Sequence, residues 1–244
     1  RLGQGHLILR ACSLQVICQT SRPVIGCRVD DPSGAAGPAT TRVVIDRTVC
    51  LGSHLIAASI DAGSADIVIR DSLLATGDQP AVRLNQSRAT AASTRRDLRI
   101  IGSTIVSQRA AVELVNGQSF ADVAATWITA IDTIFANPQA SPRASLLSVV
   151  NWPMEDGRLT RLNWESVGSA YQGWPVLIQN RTPTGMNVIA RDVSRWQSLW
   201  ASPGETAQFD PAVWSAAAVG GDAVSLRSFA PSQLPNANAV SLTG

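Results

Sequence analysis

Two acids could work as a pair if the chain is wound so that they share a column. Asp71 and Asp132 each precede a hydroxyl residue, in Asp71-Ser72 and Asp132-Thr133. In stacked coils about 4.8 Å apart, two coils would separate them by about 9.6 Å. A glycosidase holds two carboxylates about 5 to 9.5 Å apart across the bond it cleaves. The position between them in this winding is Ser103. The plainer reading is that both acids are solvated turn residues, since Asp suits tight turns.

Other chemistry is thinner. His6 and His54 are the only histidines, and no Ser and Asp stand around His54 in a triad order, so it reads as a surface residue. The cysteines Cys12, Cys18, Cys27 and Cys50 contain no Cys-x-x-Cys and have no histidine at zinc-site spacing. Cys12 and Cys50 read as inward-facing free thiols, with a disulfide between neighbouring coils as the alternative. A calcium-assisted lyase needs an acidic cluster and a base, and an arginine could serve as base only if strongly perturbed. The sequence shows no such cluster, and it implies no cofactor and no metal. Trp152, Trp164 and Trp174 recur at strand ends or turns. A row of them could stack on sugar rings; the alternative is that they close the core. Asn85-Gln-Ser and Asn180-Arg-Thr match the glycosylation triplet, which is common by chance.

The elements that must position these residues repeat. One column is Ser, Thr or Cys with an apolar residue two places later: Cys12/Leu14, Thr48/Cys50, Ser72/Leu74, Thr104/Val106, Thr133/Phe135 and Ser169/Tyr171. Three places before each lie Leu9, Ile45, Ile69, Ile101, Ala130 and Ser166, the last two fitting an apolar column poorly. A second column closes each unit with Asp30, Asp61, Asn85, Asn116, Asn151 and Asn180. The short β-branched runs Val43-Val44-Ile45, Ile67-Val68-Ile69 and Ile105-Val106 are strands, not helical repeats. The expected fold is therefore all-β: a right-handed parallel β-helix, a solenoid of about six coils. Asp46 and Arg70 share an outward column, as do Arg47 and Asp71, and should form solvated pairs.

A short capping helix is expected at 192–200. Asp192 is the N-cap, Val193, Trp196, Leu199 and Trp200 share a face, and Pro203-Gly204 ends it. This divides the chain into a β-helix with its cap over 1–210 and a loosely packed tail over 211–244, with one added strand at Ala223–Arg227. Asp31–Thr40 and Ser87–Arg96 read as loops thrown out between coils.

Composition excludes several classes. All 20 basic residues are Arg, so neither a Walker A loop nor a kinase ATP site can be complete. The net charge is +2 and Arg95-Arg96 is the longest basic run, which argues against nucleic acid. No apolar run reaches the roughly 18 residues that read as a membrane span. The chain opens on Arg1, and a covalently attached upstream domain is expected.

With its columns, Asn151-Trp152-Pro153, Leu162-Asn163-Trp164 with Ser169-Ala170-Tyr171, and the Asp192–Trp200 segment, the chain resembles pectin-lyase-like right-handed β-helices. Within that class it resembles the C-terminal β-helix regions of large bacterial serine/threonine protein kinases. The resemblance covers Leu7 to Phe209. It implies that a kinase domain lies upstream and that this part is accessory: sensing, carbohydrate or protein contact, or spacing. The competing expectation is a carbohydrate-active enzyme, a lyase or glycoside hydrolase using Asp71 and Asp132.

Overall fold

The computed structural model describes residues 6–15, 22–28, 40–52, 54–86, 94–117, 123–138, 141–200 and 208–209. The strands run β1 (His6–Arg10), β2 (Ser13–Gln15), β3 (Arg22–Arg28), β4 (Thr41–Asp46), β5 (Val49–Gly52), β6 (Leu55–Asp61), β7 (Ala65–Arg70), β8 (Leu73–Thr76) and β9 (Val82–Gln86). They continue with β10 (Arg95–Ile101), β11 (Thr104–Val106), β12 (Ala110–Asn116), β13 (Ala125–Ile131), β14 (Ile134–Ala136), β15 (Ser145–Val150), β16 (Met154–Glu155) and β17 (Arg158–Leu159). Last come β18 (Leu162–Val167), β19 (Ala170–Gln172), β20 (Val176–Thr182), β21 (Gly185–Ala190), helix α1 (Val193–Leu199) and β22 (Gln208–Phe209).

Consecutive strands go to different sheets. The first sheet is ordered β1-β4-β7-β10-β13-β18, the second β2-β5-β8-β11-β14-β19-β22, and the third β21-β20-β15-β12-β9-β6-β3. Apart from the antiparallel β20–β21 pair, pairing within these three sheets is parallel. The fold is all-β with one short helix. Its strand order is compatible with the expected parallel β-helix.

The corner between the first and second sheets explains the first repeat column. Arg47, Asp71, Gly102, Asp132 and Gly168 all have left-handed φ, between 48° and 62°. The next residue carries a buried hydroxyl: Thr48, Ser72, Ser103, Thr133 or Ser169. Each hydroxyl donates to the main-chain oxygen two residues back, at 2.7 to 3.4 Å. Three of them also accept a main-chain N–H from the preceding circuit: Thr48 N–H to Ser72 Oγ at 3.0 Å, Ser72 N–H to Ser103 Oγ at 3.1 Å, and Thr133 N–H to Ser169 Oγ at 3.2 Å. The half-buried Cys12 thiol donates to Arg10 O, likewise two residues back.

The register corrects two expectations. The column passes through Ser103 and Ile105, not Thr104 and Val106, because Leu74 faces Ile105. The inward column likewise uses Ile100, not Ile101. Gly102, not Ser103, therefore stands between Asp71 and Asp132. The Asn column also breaks: Asn85 faces Val115, Asn116 faces Gln86, and Asn180 faces Val149. Asn116 and Asn151 do bond each other's main chain, Asn116 Nδ2 to Asn151 O at 2.9 Å and Asn151 Nδ2 to Asn116 O at 3.4 Å.

Ala130 and Ser166, poor fits to an apolar column, are nevertheless fully buried, and large rings are buried in the same circuits. Trp164, Phe135 and Tyr171 are all buried, with Phe135–Trp164 centroids at 5.7 Å and Phe135–Tyr171 at 5.4 Å. The one short helix, α1, falls within the expected 192–200 segment and packs against these rings. Asp192 accepts from Arg195 N–H at 2.7 Å, and Trp196 meets Trp164 edge-on at 5.2 Å. The loop expected to end at Arg96 stops earlier, since β10 begins at Arg95. Most of the Asp31–Thr40 loop, Pro203-Gly204, the 211–244 tail and its Ala223–Arg227 strand lie outside the described residues.

The Asp46–Arg70 pair forms in the expected register, but it is not solvated at the acid. The Asp46 side chain is only 2% exposed under Arg70, Arg10 and Arg47. The Arg70 hydrogen bond holds its carboxyl below the ordinary value; burial opposes, and Arg47 and Arg10 add to the lowering. A depressed folded value means stability present above the unfolded pKa, about 3.9, and lost as pH falls through the folded one. Stability curves of the native protein and Asp46→Asn should therefore converge as pH drops below about 4. Parallel curves through that range would contradict the assignment.

The corner gives a second prediction. A Cβ on Gly168 would lie 2.3 Å from Asp132 Oδ1. Gly168→Ala should destabilise the fold, and less so in an Asp132→Ala background. Urea unfolding of the single and double variants should give a coupling of about 0.5–3 kcal/mol. No coupling would mean that the carboxylate is not what excludes a side chain there.

Candidate functional site

The outer face of the third sheet carries a polar column that alternation creates. Val82 and Leu84 point inward on β9, so Arg83 and Asn85 take the opposite face. The same holds for Glu113 and Val115 on β12, Ser148 and Val150 on β15, and Gln179 and Arg181 on β20. The register places Arg83 beside Glu113, Glu113 beside Ser148, and Ser148 beside Gln179. The next column runs Asn85, Val115, Val150, Arg181.

Arg83 and Glu113 of the first column and all four residues of the second line a groove of about 450 Å³ together with Asn151, Thr182 and Pro183. Glu113 is its single acidic lining residue, and its side chain is 1% exposed. Its Oε2 accepts from Arg83 Nε at 2.6 Å, and Arg83 Nη2 lies within ion-pair distance of the same oxygen, also at 2.6 Å. Its Oε1 accepts from Arg181 Nη2. Both carboxylate oxygens are thus engaged by guanidiniums, and the groove keeps one positive charge in surplus. Burial pushes the Arg181 pKa down; Glu113 opposes this, and Arg109 and Arg83 add to the lowering.

Two of the lining residues each hold a side-chain atom that is buried with no hydrogen-bond partner, Arg181 Nε and Asn151 Oδ1. Asn151 sits at a left-handed turn, φ 54°, so its backbone is fixed whatever its side chain meets. Behind the groove lies Arg96, 1% exposed. It donates to the Asn85 main-chain oxygen at 3.5 Å and holds its guanidinium 5.8 Å from the Trp152 ring centroid. Burial pushes its pKa down to about 10, with Asp61 opposing.

The residues singled out in the sequence lie elsewhere. Asp71 and Asp132 are exposed corner residues between the first and second sheets. Their carboxylates lie over the glycines of the following circuits: Asp71 Oδ1 is 2.9 Å from where a Cβ on Gly102 would be. Trp152, Trp164 and Trp174 are 3%, 0% and 7% exposed, so none presents a ring face to solvent. Their ring N–H groups bond within the protein, to Thr160 O, Tyr171 Oη and Phe135 O. The Trp on an outer sheet face is Trp127, half-buried, with the Arg95 guanidinium 4.2 Å from its ring centroid. His54 Nδ1 lies 3.0 Å from Asp78 Oδ2 on the surface. Among the described residues no group of three or more His, Cys, Asp or Glu is placed to hold a metal ion. No helix there is long and apolar enough to cross a membrane.

Glu113 was missed because one acid in the apolar run Ala110–Val115 reads as an outward charge. The signal was available: opposite charges, Arg83 and Glu113, at the same place in consecutive repeats. That is the logic that paired Asp46 with Arg70.

Comparisons with protein-family models, curated proteins and solved structures gave no match.

Cys50 is free and fully buried, and burial pushes its thiol up to about 12. An alkylating reagent at neutral pH should leave it unmodified in the native protein and label it in urea, as read by peptide mass mapping. Native labelling as fast as that of Cys12 would contradict its burial.

Proposed function

We propose that the chain is a right-handed parallel β-helix of six coils closed by α1, and that it is a non-catalytic binding domain of a larger bacterial protein. The observation that carries the second part is the engagement of Glu113. Both its oxygens accept guanidinium hydrogen bonds, and no second acid lines the groove. Hydrolysis of a glycosidic bond needs two carboxylates flanking it, one of them free to give a proton. A groove with one clamped acid, two arginines, two asparagines and an apolar strip suits holding a polar ligand, and its volume is in the range of small-molecule sites. The bound partner is read as carbohydrate, with a protein surface as the alternative.

The resemblance to kinase C-terminal regions supports placing this domain downstream of a serine/threonine kinase. A Gly-rich loop, a Val-Ala-x-Lys strand and a His-Arg-Asp loop upstream in the gene would support that placement. A signal peptide followed directly by more coils would refute it.

A second reading, a polysaccharide lyase or glycoside hydrolase, is supported by Asp71 and Asp132, two exposed acids that stand in one column at the same corner with Gly102 between them. Incubation with a polysaccharide panel separates the two. The expected result is saturable binding with no new reducing ends and no unsaturated product. Turnover lost in Asp71→Asn, Asp132→Asn or Arg181→Leu, with the fold intact, would establish the enzyme instead.

A further inference from the structure

We infer that the end of the fold bounded by β1, β2 and β3 takes one further parallel coil of the same polypeptide, with apolar side chains over Leu7 and Leu9 and a carboxylate over Arg10. This rests on the coil reading of the fold and not on the groove.

The two ends of the three sheets differ. At one, Trp196 lies edge-on to Trp164 and Tyr171, and all three rings are buried. At the other, β1, β2 and β3 are the outer strands of their sheets, and no described strand pairs beyond them. Leu7, Leu9 and Leu14 are only half-buried there. Their register partners Val43, Ile45 and Cys50 are fully buried, as are Ile67, Ile69 and Leu74 one circuit on. The inward columns therefore stop one layer short of burial, on edges that folded proteins ordinarily cover.

The corner gives the direction of the cover. Val49, Leu73, Thr104, Ile134 and Ala170 each donate a main-chain N–H to an oxygen of the circuit before, at Cys12, Thr48, Ser72, Ser103 and Thr133, over 2.8 to 2.9 Å. Ser13 stands opposite Val49 in register, so its N–H is the donor that a circuit before β1 would meet.

Charge gives the chemistry. Arg10, Asp46 and Arg70 form one column, basic, acidic, basic. Arg10 donates Nε to Asp46 at 3.0 Å and keeps 56% of its side chain in solvent. An acid on its free side continues the alternation, and a base there is repelled. A second copy is disfavoured on this ground, since β1, β2 and β3 hold His6, Arg10, Arg22 and Arg28 and no acid. A two-fold pair would also meet antiparallel, where the ladders at this end are parallel. A coil joined through the residues that lead into β1 brings the parallel direction and carries no association cost.

The probe is the full chain with a second copy of its own circuit 41–64 joined ahead of Arg1. That circuit already stacks on β7 through Val43, Ile45 and Asp46. Spacings of 24 and 36 residues both occur in the Asp46 column, so the joining length is tolerated. Hydrogen exchange of 6–15 is read by mass spectrometry, with 42–51 as the interior reference. In the chain alone 6–15 should exchange at least about tenfold faster than 42–51, and the added circuit should slow it at least about tenfold. Asp46→Arg in the added copy should lose most of that slowing. Equal protection of 6–15 and 42–51 in the chain alone overturns the inference, as does exchange that the added circuit leaves unchanged. Slowing that grows with concentration in the chain alone overturns it in favour of a second copy. Equal slowing by the Asp and Arg forms overturns the carboxylate over Arg10. Fast exchange of 42–51 itself in both chains would instead refute the coil reading beneath it.

Discussion

Among the described residues the chain repeatedly turns the same corner between the first and second sheets, and the backbone there admits few solutions. One residue must take a left-handed φ, which costs an ordinary side chain about 1–2 kcal/mol. At three of these corners the next residue must also satisfy a main-chain N–H from the preceding corner, in a place water does not reach. A hydroxyl does this while donating to the carbonyl two residues back. Without it the N–H stays unpaired, at a cost of about 1–3 kcal/mol. The corner thus selects two adjacent residue types, and in doing so sets the register of the strands on both sides. Asp71 over Gly102 and Asp132 over Gly168 show the same constraint acting between circuits, since a carboxylate at one corner requires the absence of a side chain at the next.

Much of this was legible in the sequence because the corner writes itself as a column. The strands, the β-branched runs, the capping helix and the Asp46–Arg70 pairing all follow from local pattern. The slip at Ser103-Thr104 has a physical origin. Both residues are hydroxyls and both have an apolar residue two places on, so the column rule cannot choose between them. What decides is Gly102, whose φ of 56° marks it as the corner. The Asn column slipped for another reason. Asn suits a strand end, a left-handed turn and an interior main-chain clamp equally well. Asn85, Asn151 and Asn180 perform different ones of these tasks, Asn180 bonding both polar groups of the Trp152 main chain.

The tryptophans and arginines show where composition misleads. A Trp at a strand end reads as a surface platform, yet these rings bring area that the last circuits need. Ala130 and Ser166 are buried in the same circuits, and volume compensation across facing positions is invisible in any single column. Arg96 reads as the end of a polar loop because its neighbour Arg95 is exposed. On a strand the two face opposite ways, and Arg96 goes inside, between Ala65 and Thr126 in register.

The groove follows from the same register, with a different energetic character. An arginine–carboxylate–arginine arrangement that is largely buried is a weak source of stability, because removing the charges from water offsets most of their attraction. Asp46 differs, since the three arginines that cover it keep 47% to 62% of their side chains in solvent. At Glu113 the arginines are 25% and 30% exposed, and one leaves a buried N–H unpaired. A site organised for stability alone would engage that donor or dispense with the charge. Held in this way, Arg181 is oriented by Glu113 and partly desolvated, so its position on the groove wall is fixed by the same register that places Arg83 beside Glu113.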